Sequence, residues 1–99
     1  MEDKRPLILV SNDDGVEAKG IQALVEMVQP FGDVIVVAPL DVHSGMSHAI
    51  TVTIPVRYRK LKEYDNVKVY GCSGTSVDSV KLALSEIVPR EPDLLVSGI

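Results

Sequence analysis

The amino-acid sequence predicts an α/β fold built on a mostly parallel sheet, and three observations predict it. Short runs of consecutive apolar residues, LILVS at 7–11 and DVIVVAP at 33–39, have the length and continuity of strands buried on both faces. Between them Ile21, Leu24, Val25 and Val28 fall at i, i+3, i+4 and i+7, the stripe of an amphipathic helix. Strand, helix and strand within roughly thirty residues make a βαβ unit, and such crossovers are right-handed.

Taken in order, the helix spans about Ala18 to Gln29 and is stopped by Pro30 and Gly32. Pro39 ends the second strand, and LDVHSGMSH at 40–48 reads as a loop. Ile50, Val52, Ile54, Val56 and Tyr58 then alternate with polar or charged positions and Pro55, the period-two pattern of a half-exposed strand. Lys60 to Asn66 reads as a charged turn region before a strand VKVYG at 67–71. Five of the ten Lys and Arg residues lie between Arg57 and Lys68, which reads as a solvated hairpin rather than a phosphate or nucleic-acid patch. Thr75 with Asp78 three residues on is a capping box opening a second helix. Its expected buried stripe is Val77, Val80, Leu84 and Ile87 or Val88, with Pro89 past its end. PDLLVSGI at 92–99 is one more expected buried strand.

The bulk properties narrow the function classes. The 99 residues are one domain's worth of chain or less, 45% hydrophobic with few aromatics, so Val, Ile, Leu and Ala must build the core. A net charge of −4 argues against a nucleic-acid polymer or a membrane surface as partner. Cys72 is the sole cysteine, which fits a reducing compartment, and no apolar run reaches the length of a signal peptide core or a membrane span. These points predict a cytoplasmic protein.

Three segments carry candidate chemistry. Asp13 and Asp14 stand side by side where the first strand gives way to Gly15. Adjacent carboxylates repel, and a divalent cation relieves the repulsion; an all-oxygen set selects Mg²⁺, Mn²⁺ or Ca²⁺ over Zn²⁺. The other reading is an acidic turn beside a helix N-terminus. HSGMSH at 43–48 comes after the second strand, so in a parallel sheet it opens on the same edge. Ser44, Gly45 and Ser47 offer hydroxyls and backbone N–H groups, and His43 and His48 can move protons near neutral pH. GCSGTS at 71–76 is either a phosphate cradle or plain helix capping, and Cys72 reads as a small structural residue. Receiver domains and haloacid-dehalogenase-type phosphatases are excluded by spacing. The former need an Asp ending the third strand and a Lys ending the fifth, the latter an Asp-x-Asp.

Together ILVSNDDGVEAKGIQALVE, DVIVVAP with HSGMSHAITVTIPVR after it, GTSVDSVKLAL and PDLLVSGI resemble the SurE family, the survival-protein-E nucleotidases, over essentially the whole chain. The resemblance implies a Rossmann-like three-layer sandwich with a divalent ion at the strand ends. It implies an acid-phosphatase-like phosphohydrolase acting on nucleoside 5′- and 3′-monophosphates, sometimes on short polyphosphate, with one Mg²⁺ or Mn²⁺. By motif, Asp13, Asp14 and Ser44 match metal ligands, Asn12 and His48 match supporting catalytic positions, and Ser47 and Gly45 match phosphate-contacting positions. The expected mechanism is attack by a water activated on the metal, which also polarises a phosphate oxygen. Covalent attack by one Asp is disfavoured, because both acids bind the ion. A dimer or tetramer is implied for the family's full-length proteins.

Two departures are small: Gly-Thr-Ser at 74–76 for the usual Gly-Thr-Pro, and Leu40 for an Asp. A larger one is that the family's fourth ligand, an Asn after Ser-Gly-Val/Ile, would come after Ile99. Residues 1–99 are therefore expected to be the N-terminal part of a single domain whose sheet is incomplete at the C-terminus. The alternative function is a catalytically incomplete fragment, at most a metal-binding module.

Overall fold

The structure, a computed structural model, describes residues 6–40 and 57–98. Its elements are β1 (Leu7–Asn12), α1 (Lys19–Val28), β2 (Asp33–Pro39), β3 (Tyr58–Tyr64), β4 (Val67–Cys72), α2 (Ser76–Leu82) and β5 (Leu94–Gly98). They form one five-stranded sheet in the order β3-β4-β2-β1-β5. β1, β2, β4 and β5 are mutually parallel, and only β3 is antiparallel, to β4. This is the predicted mixed α/β architecture with a mostly parallel sheet.

Alternation along the central strands builds the three layers. Ile8 and Val10 of β1 join Val34 and Val36 of β2 in a core with Ile21 and Val25 of α1. Leu7 and Leu9 join Ile35 and Val37 in a second core with Cys72 and Ala83, against which Leu82, Ile87 and Val88 pack. Neighbouring residues on a strand point to opposite faces, so α1 and α2 cover opposite sides of the sheet. That is why β1 and β2 read as continuous apolar runs. Helix α1 gives way at Pro30 to a single 3₁₀ turn, Gln29–Phe31, as the missing amide and ring of proline require.

Three expectations are corrected. Lys60–Asn66 is not a turn region: β3 runs to Tyr64, and Asp65-Asn66 alone makes the turn, with Asp65 at φ 48°. The Asn66 side chain donates to the carbonyls of Gln29 and Gly32, tying this turn to the end of α1. Polarity hid the strand, because an edge strand exposed on both faces needs no apolar pattern. The alternating pattern at 50–58 lies mostly outside the described residues.

The buried stripe of the second helix is also different. Val77 and Leu84 are 60% and 50% exposed, while Ser79 and Ala83 are fully buried. Small side chains let α2 approach the sheet closely, and the helix widens into a π turn at Ala83–Ile87, which shifts the register of its last residues. Lastly, among the described residues β5 is half exposed: Leu94 and Leu95 each keep 50% of their surface, because β5 is the outermost described strand and only Val96 packs against the α1-side core. Among the described residues no helix is long and apolar enough to cross a membrane.

Candidate functional site

The topology puts a crevice at the carboxyl end of β1. From β1 the chain crosses on one face to β2, and from β4 it crosses on the other face to β5, on β1's far side. Connections that diverge in this way leave an opening beyond the strand ends, where open α/β sheets bind ligands. Asp13 and Asp14 are the first residues past β1, at that opening.

The turn that carries them is fixed from below. Asn12 is 2% exposed, and its Nδ2 donates to the Gly15 carbonyl at 2.9 Å. Its Oδ1 accepts from the Gly15 amide at 3.2 Å, so one side chain closes a loop around the two acids. Gly15 has φ 107°, a backbone region closed to residues with a Cβ, which explains a glycine after the acid pair. Val16 then donates its amide to the Pro39 carbonyl at 2.7 Å, pinning the turn to the end of β2. On the other flank Asn12 is registered with Gly98 of β5. A Cβ on Gly98 would lie 2.5 Å from Leu24 Cδ1, so a larger residue there would force the end of the Leu24 side chain to shift.

Held on this frame, both carboxylates face solvent. Neither engages a side chain or backbone donor among the described residues. Two adjacent acids without a cationic partner among the described residues, on a turn whose shape is set by buried hydrogen bonds, make an incomplete all-oxygen donor set. Hard divalent cations take such oxygens. No group of three or more His, Cys, Asp and Glu residues is gathered among the described residues, so any cation held by the pair would take its further ligands from outside such a group. Ser44, Gly45, Ser47, His43 and His48 lie outside the described residues.

The segment 71–76 is resolved in favour of capping. Thr75 Oγ1 accepts the Asp78 amide at 3.2 Å and Asp78 Oδ2 accepts the Thr75 amide at 3.1 Å. The Asp78 carboxylate takes the position a phosphate would need at these amides. Cys72 is fully buried beneath α2, as expected of a small structural residue. The larger cavity, about 360 Å³, lies at the other end of the sheet by Leu7, Asp33 and Lys68, away from the diverging connections. One group escaped sequence reasoning: the hydroxyl of Ser11, buried in β1 without a hydrogen-bond partner among the described residues. A serine interrupting an otherwise apolar buried strand was its only signal.

Comparison with known proteins agrees with this fold. The family described as Survival protein SurE matches residues 8–99. The 5′-nucleotidase SurE of Bacteroides fragilis is 54% identical over 99 residues, all of this chain and 39% of that protein. The 5′-nucleotidase SurE of Flavobacterium johnsoniae is 53% identical over 100 residues and is covered to the same 39%. Among solved structures, the SurE protein from Aquifex aeolicus superposes with a TM-score of 0.73 at 39% identity, covering 95% of this chain and 37% of that one. The chain thus spans about two fifths of the length of the relatives it matches.

Proposed function

Because this chain belongs to the SurE family, we propose that it supplies the acid pair of a divalent-metal-dependent phosphohydrolase acting on nucleoside 5′-monophosphates, and on 3′-monophosphates as well. The observation that carries this reading is the pair Asp13–Asp14, exposed and without protein partners among the described residues, on a turn fixed by Asn12 and Gly15 at the carboxyl end of β1. The names of the matched relatives support the nucleotidase class.

In this reading Asp13 and Asp14 hold one Mg²⁺ or Mn²⁺, with Ser44 adding a neutral oxygen. Such an ion, when bound, neutralises phosphoryl charge and lowers the pKa of a coordinated water. The chain's own residues do the rest. Asn12 fixes the spacing of the two carboxylates, Ser47 and Gly45 orient the phosphate by hydrogen bonds, and His48 moves a proton at the leaving oxygen. The full-length protein works as a homo-oligomer in the cytoplasm.

The test is phosphate release from 5′-AMP and 3′-AMP by the full-length protein, with Mn²⁺ and then with EDTA, beside Asp13→Asn. Release that needs Mn²⁺ and is lost in the variant is the expected result. Release that persists in EDTA or in the variant would remove the acid pair from the reaction.

A further inference from the structure

On the α2 side of the same sheet edge lies a second pocket of about 270 Å³, lined by Ser11, Ser97, Ser76, Lys81, Val77 and Val80. Ser11 and Ser97 are registered partners on β1 and β5, so both belong to the face that α2 covers. Asn12, one residue further along β1, faces the opposite, α1 side, where its two bonds to Gly15 close the acid pair's turn.

The donor chemistry of this pocket is one-sided. Ser11 is 1% exposed, and its Oγ is buried with no hydrogen-bond partner among the described residues. A buried hydroxyl left unpaired is unfavourable, so a strand that keeps one gains where something in the pocket accepts a hydrogen bond from it. The hydroxyls of Ser76 and Ser97 add two more donors. Lys81 brings an ammonium that pairs with no acid among the described residues. No carboxylate lines the pocket among the described residues, and the valines give it an apolar wall that strengthens hydrogen bonds to a charged guest.

We infer that this pocket binds a phosphate group as a subsite separate from the acid pair. Ser11, Ser76 and Ser97 donate to its oxygens, and Lys81 balances its charge. Three hydroxyl donors and one cation match the acceptors and the charge of a phosphate monoanion or monoester. The choice of phosphate over other oxyanions rests on the phosphohydrolase reading; the pocket itself does not depend on a metal. The same chemistry admits inorganic phosphate or the phosphate of a nucleoside monophosphate.

The experiment is a ³¹P NMR titration of the protein in EDTA, with inorganic phosphate in one arm and 5′-AMP in the other. Saturable binding in either arm, weakened at least fivefold in both Ser11→Ala and Lys81→Gln, is the expected result. The arm that binds more tightly identifies free or esterified phosphate as the guest. Lys81 is exposed, so its variant reads out binding even if Ser11→Ala folds poorly. Absence of binding in both arms, or equal affinity in the parent and Lys81→Gln, overturns the subsite. With EDTA present, loss of metal-dependent hydrolysis leaves this result untouched, so the two readings fail separately.

Discussion

Acids stand at both ends of the sheet, and the two ends treat them differently. At the amino end Asp93 Oδ2 accepts the Leu7 amide at 2.7 Å and the Arg90 guanidinium at 3.0 Å, while the Asp93 amide donates back to the Leu7 carbonyl at 2.8 Å. That carboxylate helps to start the β1–β5 pairing. At the carboxyl end the protein spends its buried hydrogen bonds on Asn12 and Gly15, below the acids, and leaves Asp13 and Asp14 with none among the described residues. An acid built into the frame stabilises the fold; an acid held out by the frame stays open to solvent. The contrast separates a carboxylate engaged in the fold from a pair that the proposed function assigns to a cation.

This contrast can be broken by mutation, and the largest effect falls on the frame. Asn12→Ala leaves the buried Gly15 amide unpaired and its carbonyl with the Ala18 amide alone, so it lowers unfolding stability by about 2 kcal/mol in urea titration. Asp93→Ala removes one charge-assisted acceptor from a partly exposed site. It lowers stability by about 1 kcal/mol, read in the same titration, and leaves divalent-cation binding unchanged. Asp14→Asn relieves like-charge repulsion and removes no partner among the described residues. Its stability equals or exceeds the parent's by roughly a few tenths of a kcal/mol in metal-free buffer. A loss as large as that of Asp93→Ala would erase the distinction between the two kinds of acid.

The smallest effect concerns an acid that is paired but fully exposed. Lys60 donates to Glu63 at 2.7 Å, which holds the Glu63 carboxyl below its ordinary value of 4.5 and raises the Lys60 ammonium. For a carboxyl lowered in the folded state, any stabilisation is present above the ordinary carboxylate range. It is lost as the pH falls through the folded value. Solvent and salt screen this pair, so Glu63→Gln gives no resolvable change in Tm at neutral pH.

What each segment buries decides how much of it was legible in the sequence. β1, β2 and α1 are read directly because both faces of the strands and one face of the helix are covered, and burial writes a pattern. The capping box at Thr75–Asp78 is equally plain, being a contact between residues three apart. β3 was missed because an exposed edge strand is chosen for charge rather than for apolar side chains; its bulge between Lys60 and Lys62 further breaks the period. The buried face of α2 was misread because its contacts are Ser79 and Ala83, small residues that carry little hydrophobic signal. The acid pair was visible as an oddity of charge at a strand end. The work of Asn12, which closes the turn through two bonds to Gly15, is three-dimensional and leaves no mark in residue type.

The most direct measurement is calorimetric titration of Mn²⁺ into the metal-free full-length protein and into its Asp13→Asn/Asp14→Asn variant, with matched Tm values confirming that both are folded. The account predicts saturable binding by the parent and a loss of on the order of a hundredfold or more in the variant, since removing ligating oxygens exceeds the effect of removing their outer supports. Equal binding by both, or none by a folded parent chain, would contradict the assignment of this acid pair as a cation site.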